Sequence, residues 1–100
     1  MNWKRKTDRE ILLELGNRLR IKRIQKRYKQ SELAERAGIS LYTLRKMEHG
    51  NSFNVSTLIQ VLRALNELDH LENFIPEVNI RPLDMLETGN KTRKRVRNPK

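Results

Sequence analysis

The chain has 100 residues, no cysteine and a formal net charge of +10. That length bounds it to one small domain, with a core only just able to fold alone and an incentive to dimerise; the missing cysteines exclude a disulfide scaffold, a thiolate metal site and thiol catalysis. No apolar run approaches a membrane span, and MNWKRKTDRE has no apolar segment behind its basic residues, so a soluble cytoplasmic protein is expected.

Residues 1–7 form a basic N-terminal arm carrying Lys4, Arg5 and Lys6. Thr7 followed by Glu10 is the signature of a capping box, and Ile11, Leu12, Leu15 and Leu19 then recur at helical spacing as far as Ile24, which predicts a first helix over residues 8–27. A second helix is predicted over 30–37. Ala34 is small enough to let another helix backbone come close, and Gly38 suits the left-handed residue that ends a helix. Ser40 stands where an N-cap oxygen is wanted, ahead of a third helix over 41–49. Ile39, Leu44 and Met47 fall at spacings that set them against Leu33 and Ala37 in one core, and Gly50 closes the third helix. Leu41, Tyr42, Thr43, Arg45, Lys46 and His49 are left to point outward.

Residues 51–54 have loop composition, after which Val55, Leu58, Ile59, Val61, Leu62 and Leu65 are dense and helical in period. Asn66, which tolerates a left-handed backbone, ends this fourth helix. A short fifth helix is expected from about residue 69, with Leu68, Leu71, Phe74 and Ile75 apolar. Residues 8–75 thus make an all-α domain. Residues 76–90 read as an extended docking segment with Val78 and Ile80 available to pair, followed by a helical turn over 82–87. Residues 91–100 hold six basic side chains and no acid, and read as a flexible basic tail.

Charge is divided along the chain. Residues 18–46 hold ten Lys or Arg against two Glu, whereas residues 47–90 hold two Arg against seven acids. One region suits a polyanion, and the other, rich in leucine, is repelled by it.

Residues 15–75 resemble the Cro/repressor-type (XRE) helix-turn-helix proteins of bacteria and phages. The resemblance runs through LGNRLRIKRIQKRYKQSELAERAGISLYTLRKMEHG, at Leu15, Gly16, Leu19, Arg23, Gln30, Leu33, Ala34, Gly38, Ser40, Leu44, Met47, Glu48 and Gly50. It implies a five-helix, lambda-repressor-like fold and a dimer bound to double-stranded DNA at an inverted repeat. It also implies that Leu41, Tyr42, Thr43 and Lys46 face base edges, with Lys46 on guanine O6 and N7 and Leu41 or Tyr42 on a thymine methyl. Phosphate contacts are expected from Gln30, Ser40, Arg45, Asn51, Ser52, Asn54 and Ser56. Arg23 and Glu48 are implied to form a structural ion pair between the first and third helices. Leu65, Leu68, Leu71 and Phe74 are expected at the dimer interface.

Three positions depart from the family pattern. Lys29 replaces the usual Thr or Ser cap of the second helix. Lys22 stands at a position usually apolar, so the seam of the first helix is filled by Ile21, by Ile24 or by the stem of Lys22. Asn66 stands where glycine is frequent. The order of parts, a helical core followed by a Pro-bearing segment and TRKRVRNPK, is similar to HipB-like antitoxins, which repress their own promoter and bind a HipA-like kinase toxin. The alternative is a protein-interaction module that holds and inhibits a partner protein through residues 68–90. An enzyme is not expected: the chain has no Gly-rich phosphate loop and no nucleophile beside a base. His49 and His70 are too few for a metal site, and no cofactor is expected.

Overall fold

The computed structural model describes residues 1–79. The chain divides into two units, the first Met1–His70 and the second beginning at Leu71. In the first, a one-turn 3-10 helix at Trp3–Arg5 precedes four α-helices, α1 (Asp8–Gln25), α2 (Gln30–Ala37), α3 (Leu41–Glu48) and α4 (Val55–Ala64), and a second 3-10 turn closes it at Leu68–His70. In the second, α5 spans Leu71–Phe74. Five α-helices and no strand therefore make up the described residues. The segment from Ile80 onward, with the turn expected over 82–87 and the basic tail, lies outside them.

Local chemistry starts each helix. Thr7 and Glu10 form a reciprocal capping box, with Glu10 N donating to Thr7 Oγ1 at 3.1 Å and Thr7 N donating to Glu10 Oε1 at 2.9 Å. Ser40 caps α3 by accepting from Thr43 N at 3.0 Å, and Asn54 caps α4 by accepting from Thr57 N at 2.8 Å. At α2 the Lys29 side chain has no lone pair to offer. Only the returning half of the box forms there, Lys29 N donating to Glu32 Oε1 at 2.8 Å.

One device ends all four helices of the first unit. A left-handed residue follows each last turn: Arg27 (φ 62°), Gly38 (φ 71°), Gly50 (φ 85°) and Asn66 (φ 60°). The next amide then closes back on a carbonyl five residues earlier: Tyr28 on Arg23, Ile39 on Ala34, Asn51 on Lys46 and Glu67 on Leu62, at 2.8 to 3.1 Å. This places the end of α1 at Gln25, short of the expected residue 27, because Arg27 leaves the helical region of backbone space.

Leu19, Leu33, Ala34, Ala37, Leu44, Met47, Val61 and Leu65 form the core, with Tyr28, Ile39, Phe53, Leu58, Leu62 and Ala64 packed around it. Each of the four helices contributes, so the core locks them as one body. α1 and α3 approach closely at Gly16. A Cβ there would overlap the carbonyl oxygen of Met47 and lie 3.0 Å from that of Glu48. A glycine inside α1 thus lets that helix press against the last turn of α3. Of the three ways to fill the α1 seam, Ile21 and Ile24 stay 45% and 49% exposed, while Lys22 is half-buried with Nζ 3.4 Å from Glu67 Oε2.

Candidate functional site

α3 is short, and its burial is one-sided. Leu44, Met47 and Glu48 are buried, whereas Tyr42, Arg45, Lys46 and His49 are exposed at the i, i+3, i+4 and i+7 spacing of a single helix face. Leu41 and Thr43 are half-buried at its shoulders. The two ends of the helix are held independently. At the start, Ser40 Oγ accepts from Thr43 N and donates to Thr43 Oγ1 at 2.8 Å. At the finish, Arg9 Nη1 reaches from α1 to the Gly50 carbonyl at 2.8 Å, and Asn51 Nδ2 donates to the Lys46 carbonyl at 3.1 Å.

The inner side of α3 carries a polar chain. Arg23 grips Glu48 through two hydrogen bonds, Nε to Oε2 at 2.7 Å and Nη2 to Oε1 at 3.2 Å, and its Nη1 donates to the Tyr28 carbonyl at 2.9 Å. Gln30 Nε2 donates to Glu48 Oε1 at 2.9 Å, and Arg45 Nε donates to Gln30 Oε1 at 3.4 Å. The first turn of α2 is thereby tied to both faces of α3. Gln30 and Ser40, expected at phosphates, already spend side-chain hydrogen bonds on positioning these helices.

The outer side of α3 opens onto a groove of about 300 Å³ lined by Tyr42, Thr43, Lys46, Met47, Ser52, Phe53, Asn54 and Thr57. Asn54 lines it at the α4 start, its Oδ1 accepting from Ser56 Oγ at 2.9 Å and Thr57 Oγ1 at 2.7 Å as well as from the Thr57 amide. Ser52 is exposed at the rim. Lys46 Nζ lies 5.3 Å from the centre of the Tyr42 ring, within cation–π range. Sequence reasoning singled out these two residues separately and missed their pairing, although their i, i+4 spacing was the available signal. It also missed Phe53 in the groove wall.

Leu65 requires a correction. It was expected to face a second copy but is fully buried in the core of the first unit, because α4 turns its apolar stripe inward against α2. Leu68 is half-buried in the closing 3-10 turn. In the second unit Leu71 is half-buried and Phe74 is exposed.

Two electrostatic features lie away from α3. Burial pushes the Glu67 carboxyl up, but the Lys22 ammonium and His70, whose Nε2 is 2.6 Å from Glu67 Oε1, outweigh it and hold the group below its ordinary value. On the N-terminal arm, the Trp3 ring sits 5.0 Å from the Arg18 guanidinium, which also donates to Glu14 at 2.8 Å.

A rigid two-turn helix that presents two exposed cations and an aromatic ring on one face, with hydroxyl and amide groups at the neighbouring helix start, can read polar edges beside a row of anions. Among the described residues no helix is long and apolar enough to cross a membrane. Compared with known families, residues 19–72 match the helix-turn-helix family model, just over half of the chain. No curated protein matches the chain significantly.

Proposed function

The chain belongs to the Cro/repressor-type (XRE) helix-turn-helix family of DNA-binding transcription regulators, and we propose that it is a repressor that binds an inverted-repeat operator as a dimer. The observation that carries this reading is the outward face of α3. Tyr42 is 68% exposed on a helix whose opposite face is locked into the core, so the outer side chains are free to enter a major groove. Lys46 is assigned to guanine O6 and N7, with Leu41 or Tyr42 on a thymine methyl. Arg45, the loop residues Asn51 and Ser52, and the helix-start groups at Gln30, Ser40, Asn54 and Ser56 are assigned to phosphates.

Dimerisation follows from reading length. Two helical turns reach too few base pairs for operator-level discrimination, and two copies on a near-palindrome multiply it. Leu68 in the first unit, and Leu71 and Phe74 in the second, are the side chains assigned to meet a second copy. The finer role proposed is that of an autorepressing antitoxin whose partner is a kinase toxin similar to HipA. Support for it is the order of parts in the sequence, with TRKRVRNPK closing the chain.

Selection of sites from random duplexes tests the proposal. The expected product is an inverted repeat with half-site centres about one helical turn, roughly 34 Å, apart. A single unpaired site, or preference for single-stranded RNA, overturns it. Binding of the selected sequence within the gene's own promoter tests autorepression, and truncation at Pro76 with retained DNA binding but lost toxin binding tests the antitoxin role.

A further inference from the structure

We propose that Tyr42 and Lys46 read DNA as one unit: the ring holds the ammonium in place for guanine and covers the methyl of a neighbouring thymine, so residue 42 controls discrimination at a base pair it does not touch. This rests on the reading of α3 as the groove helix. Three observations lead to it. Lys46 Nζ stands 5.3 Å from the Tyr42 ring centre on the solvent side of α3, with no groove or ligand needed to bring the two together. The neighbouring candidates are committed elsewhere, since the Thr43 hydroxyl accepts from Ser40 at 2.8 Å, Leu41 is half-buried and Arg45 leans on Gln30. Tyr42 itself is 68% exposed, so its ring has surface left over for a DNA partner.

The physical consequence lies in side-chain freedom. An unrestrained lysine samples many rotamers and loses them when it docks on a base. One already resting on an aromatic face loses fewer. The two side chains are four residues apart, about 6 Å along the helix, against a base-pair rise of about 3.4 Å. They therefore span one to two base-pair steps, and the ring edge falls over the pair next to the guanine. There the thymine methyl is the apolar feature that the major groove offers.

The test uses the full chain and its selected operator. The base pair whose guanine preference disappears in Lys46→Ala marks the lysine position. At that pair, Tyr42→Ala is expected to lower the guanine-over-adenine affinity ratio by roughly three- to tenfold, the cost of ordering one long side chain. Tyr42→Phe, which keeps the ring, is expected to stay within about twofold of wild type. Replacing the neighbouring thymine by uracil removes one methyl and should weaken wild-type binding by about fourfold, with no effect in Tyr42→Ala. Because Tyr42 lies outside the core, circular dichroism of each variant should match wild type. Weaker binding by Tyr42→Ala with an unchanged guanine ratio, an equal uracil effect in both proteins, or no guanine preference lost in Lys46→Ala overturns the pairing alone. A wild-type chain that selects no duplex sequence overturns the groove-helix reading and the pairing with it.

Discussion

The Arg23 guanidinium and the Glu48 carboxylate, on α1 and at the end of α3, are clasped by two hydrogen bonds of 2.7 and 3.2 Å, and the Glu48 side chain is only 2% exposed. A buried pair of this kind fixes orientation more than it adds stability, since desolvating both charges offsets most of their attraction. Removing one partner is a different matter. Arg23→Met leaves Glu48 buried with Gln30 alone and is expected to cost about 3 to 5 kcal/mol, whereas Arg23→Met with Glu48→Leu should recover most of that loss. Urea midpoints of the two variants check it.

At Gly16 the constraint is steric. A methyl group there meets the carbonyl oxygens of Met47 and Glu48, which are backbone and cannot swing aside. Gly16→Ala therefore has to push α3 away from α1, at a cost of about 1 to 3 kcal/mol. The gain in helix propensity, about 1 kcal/mol, does not cover the upper part of that range. Thermal unfolding should show the loss, and operator affinity should fall in the same variant because the displaced element is the one assigned to the groove.

Arg27 marks a place where the fold can be improved. It holds φ at 62° to close α1, a conformation that costs an L-residue about 1 to 2 kcal/mol, and glycine occupies the same position after α2 and α3. Arg27→Gly is expected to raise stability by roughly 0.5 to 1 kcal/mol after the larger chain entropy of glycine is subtracted. A rise in unfolding temperature of a few degrees would show it. An unchanged or lower temperature would mean that the Arg27 side chain contributes more than its backbone costs.

Glu67 sets a pH dependence. Its carboxyl titrates below the ordinary 4.5 in the folded chain, because Lys22 and His70 outweigh the effect of burial, and at its ordinary value when unfolded. The folded state therefore binds the proton less readily. The resulting stability is fully present above about pH 4.5 and is lost as the pH falls through the lowered folded value. Glu67→Gln should be less stable than wild type at pH 6, by at most about 1 kcal/mol for so exposed a set of partners, and the difference should shrink toward zero in stronger acid. Paired denaturation curves at pH 6 and pH 3 check the sign.

Helix boundaries were legible wherever a side chain itself sets them. α2 runs from Gln30 to Ala37 as its spacing predicts, because Gly38 can turn left-handed, and the Ser40 and Asn54 oxygens cap the next two helices. The end of α1 was misplaced by two residues because nothing about arginine signals a left-handed backbone. The fifth helix proved to be a 3-10 turn over Leu68–His70 followed by the single turn Leu71–Phe74, a length at which propensity scarcely registers. Periodicity alone could not separate a leucine bound for its own core from one offered to a second copy, and Leu65 was assigned to the wrong one. The pairing of Tyr42 with Lys46 was visible only as a spacing until side-chain geometry joined them.

Taken alone, the order of residues determined which segments coil, where most of them stop, and which face of the third helix stays polar, since those outcomes depend on neighbours within about four positions. Tertiary structure decided that Gly16 is the contact point with α3, that Lys22 reaches Glu67, and that Arg23 closes on Glu48. Each joins positions 25 to 45 residues apart in the chain. Such contacts arise only when whole helices have found their crossing, and the crossing is set by the packing of the entire core rather than by any local preference.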